Sequence, residues 1–203
     1  MLKEQERSQT RRQRILDAAV QVFTRKGYRD AGMEDIAAEA ETSKGGLYFH
    51  FPSKQTIFLQ LLERMAALLM ERTESALQAE PDPISRADAA LRVVLHTFAA
   101  HRGLTRLFLV EALGAGPEFS AKIMGLHGQF TDLIKRHLDD AVSQGAIPPL
   151  DTGIAAQVWF GALNQVVTRW AVADTPGNLE AAYPALRAVL LRGIGVPAER
   201  IHG

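Results

Sequence analysis

Three side chains that can bind a phosphate or a base edge lie within seven residues of the sequence: Lys44, Tyr48 and His50. The lysine supplies a positive charge, and the tyrosine hydroxyl and the imidazole supply hydrogen-bond donors. Between them, Gly45 and Gly46 let the backbone approach another surface closely. A cation, donors and bare backbone on one short segment suit contact with the phosphates and base edges of a nucleic acid.

A short helix is predicted to position these groups. It spans residues 44–50, barely two turns, and a helix of that length is not stable alone in water. Leu47 and Phe51 are four residues apart and are expected to anchor it inward, which leaves the polar residues facing outward. The hydroxyl of Ser43 is expected to cap its first turn.

A second helix precedes this one, and a tight corner joins the two. Residues 33–40 place apolar side chains on one helical face, with two acids in the first turn where they oppose the positive end of the helix dipole. The apolar residues are Ile36, Ala37 and Ala40, and the corner residues are Glu41, Thr42 and Ser43. The pattern predicts a helix-turn-helix, whose second helix lies in the DNA major groove.

The same residues resemble the DNA-binding domain of the TetR family of bacterial regulators. The resemblance runs from Arg12 to Leu62, roughly the first third of the chain, and its most specific part is SKGGLYFHFPSK. Two positions depart from the family pattern. Glu41 stands where the family usually has a corner glycine, so a positive φ is expected at a non-glycine residue. Gly32 stands where the family often has a hydroxyl residue, and it is a weaker cap.

The predicted DNA-contacting residues follow the helix-turn-helix and its flanks. Lys54 is included because it opens the next helix, whose first amide groups favour a phosphate. The full set is Arg29, Met33, Thr42, Ser43, Lys44, Gly45, Gly46, Tyr48, His50 and Lys54.

Charge is distributed unevenly along the chain. The whole sequence is neutral, with 23 basic and 23 acidic residues, but the first 29 residues hold eight basic and three acidic residues. A net charge of +5 at one end of the chain suits a protein that presents that end to a polyanion.

Composition argues against several other classes. The chain has no cysteine, so disulfides and thiolate metal sites are excluded. No signal peptide or membrane span is predicted, and a cytoplasmic location is the default. The six histidines form no close metal-type pair, and no phosphate loop or nucleophile elbow is found. We therefore expect no enzyme activity, no cofactor and no metal.

The hydrophobic pattern predicts an all-α protein of about nine helices. Residues 1–9 are polar and are predicted to be loose. The predicted helices span residues 10–26, 33–40, 44–50, 53–79, 84–101, 104–113, 118–144, 151–173 and 179–194. We expect a DNA-binding domain at 1–52, a connecting helix at 53–79 and a helical ligand-binding and dimerisation domain at 80–203. The resemblance implies the same division.

The large domain is expected to form a homodimer and to bind a small molecule. The last two long helices carry more apolar surface than one narrow stripe, and their small residues allow close helix pairing across a two-fold axis. The resemblance implies a homodimer through these helices and an inducer enclosed by the body. Candidate ligand residues combine apolar surface with a few polar groups. They are Phe98, His101, Phe108, His127, Phe130, Trp159, Asn164 and Trp170.

These features together predict a sequence-specific DNA-binding regulator. The expected mechanism is a repressor that binds double-stranded DNA at a palindromic operator and is released by an apolar effector. A ligand-independent regulator or activator of the same fold is an alternative that no residue excludes. A helical enzyme is a more distant alternative.

Overall fold

The computed structural model describes residues 2–111 and 116–201, and within those ranges all regular structure is helical. A π-helical turn (Leu107–Glu111) and a 3-10 turn (Leu179–Ala182) accompany the α-helices. The α-helices are α1 (Leu2–Asp30), α2 (Met33–Glu39), α3 (Lys44–His50), α4 (Lys54–Gln78), α5 (Pro83–Ala100), α6 (Arg102–Arg106), α7 (Pro117–Ser143), α8 (Thr152–Val172), α9 (Tyr183–Gly193) and α10 (Ala198–Ile201). The predicted all-α fold with an N-terminal helix-turn-helix is confirmed.

The boundaries of α1 differ from the prediction at its start. The helix begins at Leu2, so the prediction that residues 2–9 are loose was wrong. Its regular part ends where the sequence indicated, because Gly27 adopts φ 79° and ψ 163°, a conformation that glycine reaches without a Cβ penalty. The predicted end of the sixth helix, around residues 112–115, lies outside the described residues.

The first of two compact units comprises Met1–Ala66 and Arg106–Lys122. Its core holds an aromatic cluster from four elements: Phe23, Tyr28, Phe58, Phe108 and Phe119. Phe58 contacts the other four rings, with centroid distances of 4.8–5.7 Å and edge-on geometry throughout. Such contacts add to the burial of the rings themselves. The cluster joins α1, α4, the π-helical turn and α7 in the core of this unit.

The second compact unit comprises Ala67–Thr105 and Ile123–Gly203. Its buried core draws on α5, α7, α8, α9 and the C-terminal segment. The core residues are Ile84, Leu138, Ala141, Ile147, Ala156, Leu191, Ile194, Val196 and Ile201. Arg86 adds a polar tie, since its guanidinium donates to the Glu80 carbonyl at 2.7 Å and to Asp140 at 2.8 Å.

The chain passes between the units within continuous helical segments. Helix α4 contributes residues 54–66 to the first unit and 67–78 to the second, and α7 crosses at residues 122–123. These compact units do not correspond to the predicted domain boundaries, which remain a prediction. Among residues 2–111 and 116–201, no helix combines the length and apolarity that a bilayer crossing requires.

Candidate nucleic-acid interface

The start of α2 is stabilised by the carboxylate of Asp35 in its first turn, because the N-cap residue Gly32 has no side chain to cap the helix. Gly32 has no side chain to accept from the first turn, as the sequence indicated. Its own N–H, however, donates to Asp35 Oδ2 at 2.9 Å. Asp35 also accepts from Lys26 at 2.7 Å, and both contacts lower the pKa of its carboxyl. A charged residue in the first turn thus compensates for the weak cap.

The corner between α2 and α3 is a Schellman motif with glutamate in the position that glycine usually takes. The Thr42 N–H donates to the Ala37 carbonyl at 3.0 Å, and the Glu41 N–H donates to the Ala38 carbonyl at 3.1 Å. Glu41 has φ 48°, which confirms the predicted left-handed backbone at a non-glycine residue. Arg14 also donates to the Glu41 carbonyl at 3.3 Å and fixes the corner against α1.

Helix α3 begins with the predicted serine cap. Ser43 Oγ accepts from the Gly46 N–H at 3.1 Å. A Cβ at Gly46 would lie 2.9 Å from Thr42 Oγ1 and 3.1 Å from Ser43 Oγ, so these hydroxyls, one of which forms the cap, would have to shift to admit it. A Cβ at Gly45 would meet nothing within 4 Å. Gly46 therefore serves the fold, whereas Gly45 leaves bare backbone at the surface.

One face of α3 is fully buried and the other is open to solvent. Leu47 and Phe51 are both 0% exposed, which confirms them as the anchors. On the opposite face Tyr48 is 43% exposed and Phe49 is 83% exposed. Sequence reasoning had omitted Phe49, although its position between the two anchors was the signal that it must face outward. An exposed phenyl ring on a two-turn helix offers an apolar contact for a partner.

Lys44 lies on the same open surface and is held only loosely. Its ammonium is 2.7 Å from Glu34 Oε1, and the two side chains are 63% and 77% exposed. The contact raises the pKa of Lys44 and lowers that of Glu34. Exposed pairs of this kind contribute little stability, so a phosphate can replace the glutamate at small cost.

His50 closes the open face at the end of α3. Its pKa is lowered, first by partial burial and then by the charges of Arg11 and Arg12 on α1. The imidazole is therefore neutral at neutral pH, with its ring 5.2 Å from that of Phe49. The side chains of Arg11, Arg12 and His50 are hydrogen-bond donors at the end of α3, two of them positively charged. They give this end a surface suited to an anion.

Lys54 is placed differently from the prediction. Its ammonium donates to the carbonyl oxygens of Tyr28, Arg29 and Ala31 at 2.8–2.9 Å, which uses all three of its protons. It also lies 4.8 Å from the centre of the Tyr28 ring. The side chain thus closes the carbonyl end of α1, a structural role. We therefore withdraw the predicted phosphate contact of Lys54.

The remaining predicted contacts lie around the motif. Thr42 is half-buried in the corner and Ser43 spends its hydroxyl on the cap, although its residue is exposed. Arg29 is exposed after the Gly27 break, and Met33 is half-buried at the first position of α2. Apart from Lys54, the structure brings the predicted set onto the corner, α3 and its immediate flanks.

The predicted ligand residues are divided between the two compact units, with Phe108 in the first and the other seven in the second. Phe108 packs against Phe58 in the aromatic core of the first unit, so its assignment to a ligand site was wrong. His101 is exposed at the end of α5, and the Trp170 indole N–H donates to the Gly177 carbonyl at 2.7 Å. Phe98, Phe130, Trp159 and Asn164 are half-buried in the second unit, as is His127, whose pKa is lowered by burial.

A groove of about 1040 Å³ lies elsewhere in the second unit, between α4, α5 and the start of α9. None of the eight predicted ligand residues lines it. Its lining includes Leu68, Arg72, Val93, His96, Thr97 and Tyr183. Among the described residues, no cluster of three or more His, Asp or Glu side chains could hold a metal ion.

Comparison with known proteins agrees with this geometry. Residues 15–61 match the family described as "Bacterial regulatory proteins, tetR family", and residues 80–192 match "Tetracyclin repressor-like, C-terminal domain". The second match alone spans more than half of the chain.

Individual relatives are regulators of the same size. The "Fatty acid metabolism regulator protein" of Bacillus subtilis is 24% identical over 89% of this chain and 93% of its own length. The fatty acid degradation regulator FadR from Bacillus halodurans is 26% identical, with a TM-score of 0.82 over 89% of this chain and 98% of its own. FadR from B. subtilis, solved in complex with stearoyl-CoA, has the same fold, with a TM-score of 0.82 at 24% identity over 90% of this chain and 98% of its own.

These matches confirm the predicted class, a DNA-binding transcriptional regulator. The relatives named are regulators, which agrees with a function other than catalysis. A helix-turn-helix with a buried rear face and an open front, joined to a C-terminal domain of the tetracycline-repressor type, places the chain in the TetR family of bacterial regulatory proteins.

Proposed function

We propose that this regulator acts as a homodimer, represses transcription from a palindromic operator and leaves it when an apolar effector binds the second unit. The observation that carries the DNA part of the proposal is the open face of α3. Its buried anchors are 0% exposed while Tyr48 and Phe49 are 43% and 83% exposed. A helix that buries one face only and presents aromatic, cationic and bare-backbone positions on the other suits a major groove.

Different residues of the open face have different tasks in this proposal. Lys44 and His50 contact phosphates, and Tyr48 donates a hydrogen bond to a phosphate or a base. Phe49 has no polar atom, so it packs against thymine methyl groups or sugars. Gly45 lets the backbone approach the bases. The other proposed contacts are Arg29, Met33, Thr42, Ser43 and Gly46.

Exposed apolar side chains support a dimer through α8 and α9. Ile154 and Val158 are 56% and 59% exposed one turn apart on α8, and Val189 on α9 is 68% exposed. Gly161 lies further along the same α8 face and would allow close helix approach. A two-fold dimer would also set two copies of α3 one helical turn of DNA apart, roughly 34 Å, as a palindrome requires.

The relatives supply the chemistry of the effector to test first. One structural neighbour was solved with stearoyl-CoA, and two relatives are named for fatty acid regulation. We infer that a long-chain acyl group, as the acyl-CoA or the free acid, is the apolar part of the effector. Phe98, His127, Phe130, Trp159 and Asn164 remain the proposed lining.

The groove of the second unit is a second candidate position for the effector. The Thr97 hydroxyl on its lining has no hydrogen-bond partner among the described residues, although Thr97 is only 1% exposed. An unpaired buried hydroxyl is costly, and a polar group of a ligand would satisfy it. Arg72 on the same lining has no ion-pair partner in the described part of the chain.

The release mechanism needs two states that bind DNA differently. Helix α4 runs through both compact units, so a change in how the second unit packs around an effector reaches the first unit along one helix. An effector that binds better to the state with mismatched α3 spacing shifts the population away from DNA.

Selection of bound fragments from random duplex DNA, followed by challenge with ligands, tests the proposal. We expect a palindromic consensus and release by stearoyl-CoA or stearate but not by CoA alone. A non-palindromic consensus would contradict the dimer geometry. Release by none of a broad panel of apolar metabolites would favour the ligand-independent alternative.

A thermal-shift screen separates the ligand-responsive regulator from that alternative independently of DNA. An effector at about 100 times its Kd adds roughly 2.7 kcal/mol to the folded state. Thr97→Val removes the unpaired hydroxyl in the groove and should raise the thermal midpoint without ligand. If the effector sits in the groove, the same change should weaken its stabilising effect.

A further inference from the structure

The first turns of α1 carry a basic surface that the helix-turn-helix does not use. Residues 7–14 read RSQTRRQR, with four arginines and no acidic or apolar residue. All of them are exposed except Gln13, which is half-buried. From Arg7 onward, the first buried residue of α1 is Ile15. This part of the helix therefore gains no stability from burial of apolar surface.

Three of the four arginines share one face of α1. Arg7, Arg11 and Arg14 are spaced by four and three residues, whereas Arg12 points elsewhere. Arg12 donates to Gln60 at 2.8 Å and lies 5.2 Å from the centre of the Phe51 ring. We name Arg7, Arg11 and Arg14 the basic stripe.

The basic stripe begins beside the DNA-reading surface. Arg14 touches the corner through the Glu41 carbonyl, and Arg11 lies close enough to His50 for its charge to act on the imidazole. Arg7 lies about 10 Å further along the axis than Arg14, at about 1.5 Å per residue. The stripe thus runs from the corner, past the end of α3, and beyond it.

Two arginines of the stripe have no anionic partner among the side chains that the structure describes, which begin at residue 7. Neither Arg7 nor Arg11 has a hydrogen bond or an ion pair with any of these side chains. Like charges four residues apart destabilise a helix, and residues 7–14 bury no apolar side chain to offset that repulsion. An external row of negative charges would relieve the repulsion.

We propose that the basic stripe binds the phosphates of the duplex that flanks the sequence read by α3. DNA presents a phosphate every 3.4 Å or so along each strand, so a row of about 10 Å matches two or three of them. These contacts would lengthen the footprint without adding sequence specificity. The inference rests on DNA binding by α3.

The test uses duplexes selected by the full-length protein, either trimmed to the consensus or extended by unrelated sequence on both sides. Fluorescence anisotropy is measured at several salt concentrations for the parent and for Arg7→Gln/Arg11→Gln. We expect the parent to bind the extended duplex more tightly. Arg7 and Arg11 should make its salt slope steeper there by about 1.8 per protomer, since each phosphate contact contributes about 0.9.

The double variant should lose that length-dependent gain and keep its affinity for the trimmed duplex. The single variants Arg11→Gln and Arg25→Gln form a matched pair, with Arg25→Gln as the control. Arg25 is also an exposed arginine of α1, but it pairs with Glu39 at 3.0 Å. Arg25→Gln should leave the length dependence unchanged. In the parent, amide hydrogen exchange of residues 7–14 should slow on the extended duplex only.

An equal length dependence in the parent and the double variant would overturn the inference, as would the absence of any length dependence in the parent. Tighter binding of the parent to anionic lipid vesicles than to the extended duplex would also overturn it. Failure of DNA binding as a whole gives a different result, since no protein would then bind either duplex, and both claims would fall.

Discussion

At the scale of single residues, two lysines ten positions apart illustrate how context decides a role. Lys44 and Lys54 were both expected to contact DNA. Lys44 points to solvent and touches one exposed glutamate, whereas Lys54 donates to three backbone carbonyls. The difference lies in their surroundings, since the carbonyls that hold Lys54 come together only when the end of α1 meets α4.

Exchange of each lysine for methionine should therefore give opposite results. Lys54→Met should lower the free energy of unfolding by roughly 2 kcal/mol, because three charge-assisted hydrogen bonds are lost. Lys44→Met should change it by less than about 0.5 kcal/mol but should weaken DNA binding. Urea denaturation and anisotropy measure the two effects. A stable Lys54→Met protein with a salt slope lower by about one would restore the phosphate role of Lys54.

His50 should make DNA binding pH-dependent. Its pKa in the free protein is lowered by burial and by Arg11 and Arg12, and nearby phosphates would raise the same pKa in the complex. The complex would then bind more protons than the free protein, so affinity should increase as the pH falls from about 8 to 6. His50 is the only histidine of the first unit, and His50→Gln should abolish most of this dependence. An unchanged pH profile in His50→Gln would place the histidine away from the phosphates.

At the scale of elements, the two glycines of α3 offer a matched pair. Gly45→Ala meets no atom within 4 Å and should stabilise the helix by up to about 1 kcal/mol, yet it places a methyl group on the DNA-facing surface. Gly46→Ala places a Cβ 2.9 Å from Thr42 Oγ1 and should cost about 1 kcal/mol by displacing the Ser43 cap. We expect Gly45→Ala to lose affinity without losing stability, and Gly46→Ala to lose both. Full DNA affinity in Gly45→Ala would mean that the backbone does not approach the bases there.

The helix-turn-helix could be predicted in detail because its determinants are local. The anchors Leu47 and Phe51, the Ser43 cap and the strained Glu41 all act within a few residues of sequence. Phe49 was missed because a phenyl ring is usually assigned to a core, although the helical period placed it outside. The helical state of residues 2–9 was missed for a related reason, since that segment has no apolar pattern to indicate a helix.

The predicted effector site stays a prediction, and three of its eight residues show where local reasoning ends. Aromatic and histidine side chains are suited both to pockets and to cores, and only the packing of distant elements distinguishes the two. Phe108 proved to be core, in contact with Phe58, and the Trp170 indole is used to hold Gly177. The groove lined by Thr97 and Arg72 had no pattern in the sequence that set it apart from ordinary amphipathic helices.

At the scale of the whole molecule, the proposed dimer depends on apolar residues that one chain leaves exposed. Val158→Glu/Val189→Glu should convert the dimer to a monomer in analytical ultracentrifugation, because charges would be buried at the interface. Affinity for a palindrome should fall while affinity for a half-site stays similar. Met124→Glu is the control, since Met124 is 65% exposed on α7 of the same unit. A dimer that survives the double change would place the interface elsewhere.

The central claim is that the open face of α3 reads DNA, and substitution of that face tests it most directly. The measurement is the affinity of Tyr48→Ala and Lys44→Ala for the selected duplex by anisotropy, with Lys135→Ala on α7 as the control. We predict that each of the first two changes weakens binding about tenfold, equivalent to 1.4 kcal/mol, with an unchanged thermal midpoint. Parental affinity in both variants would contradict the assigned orientation of α3.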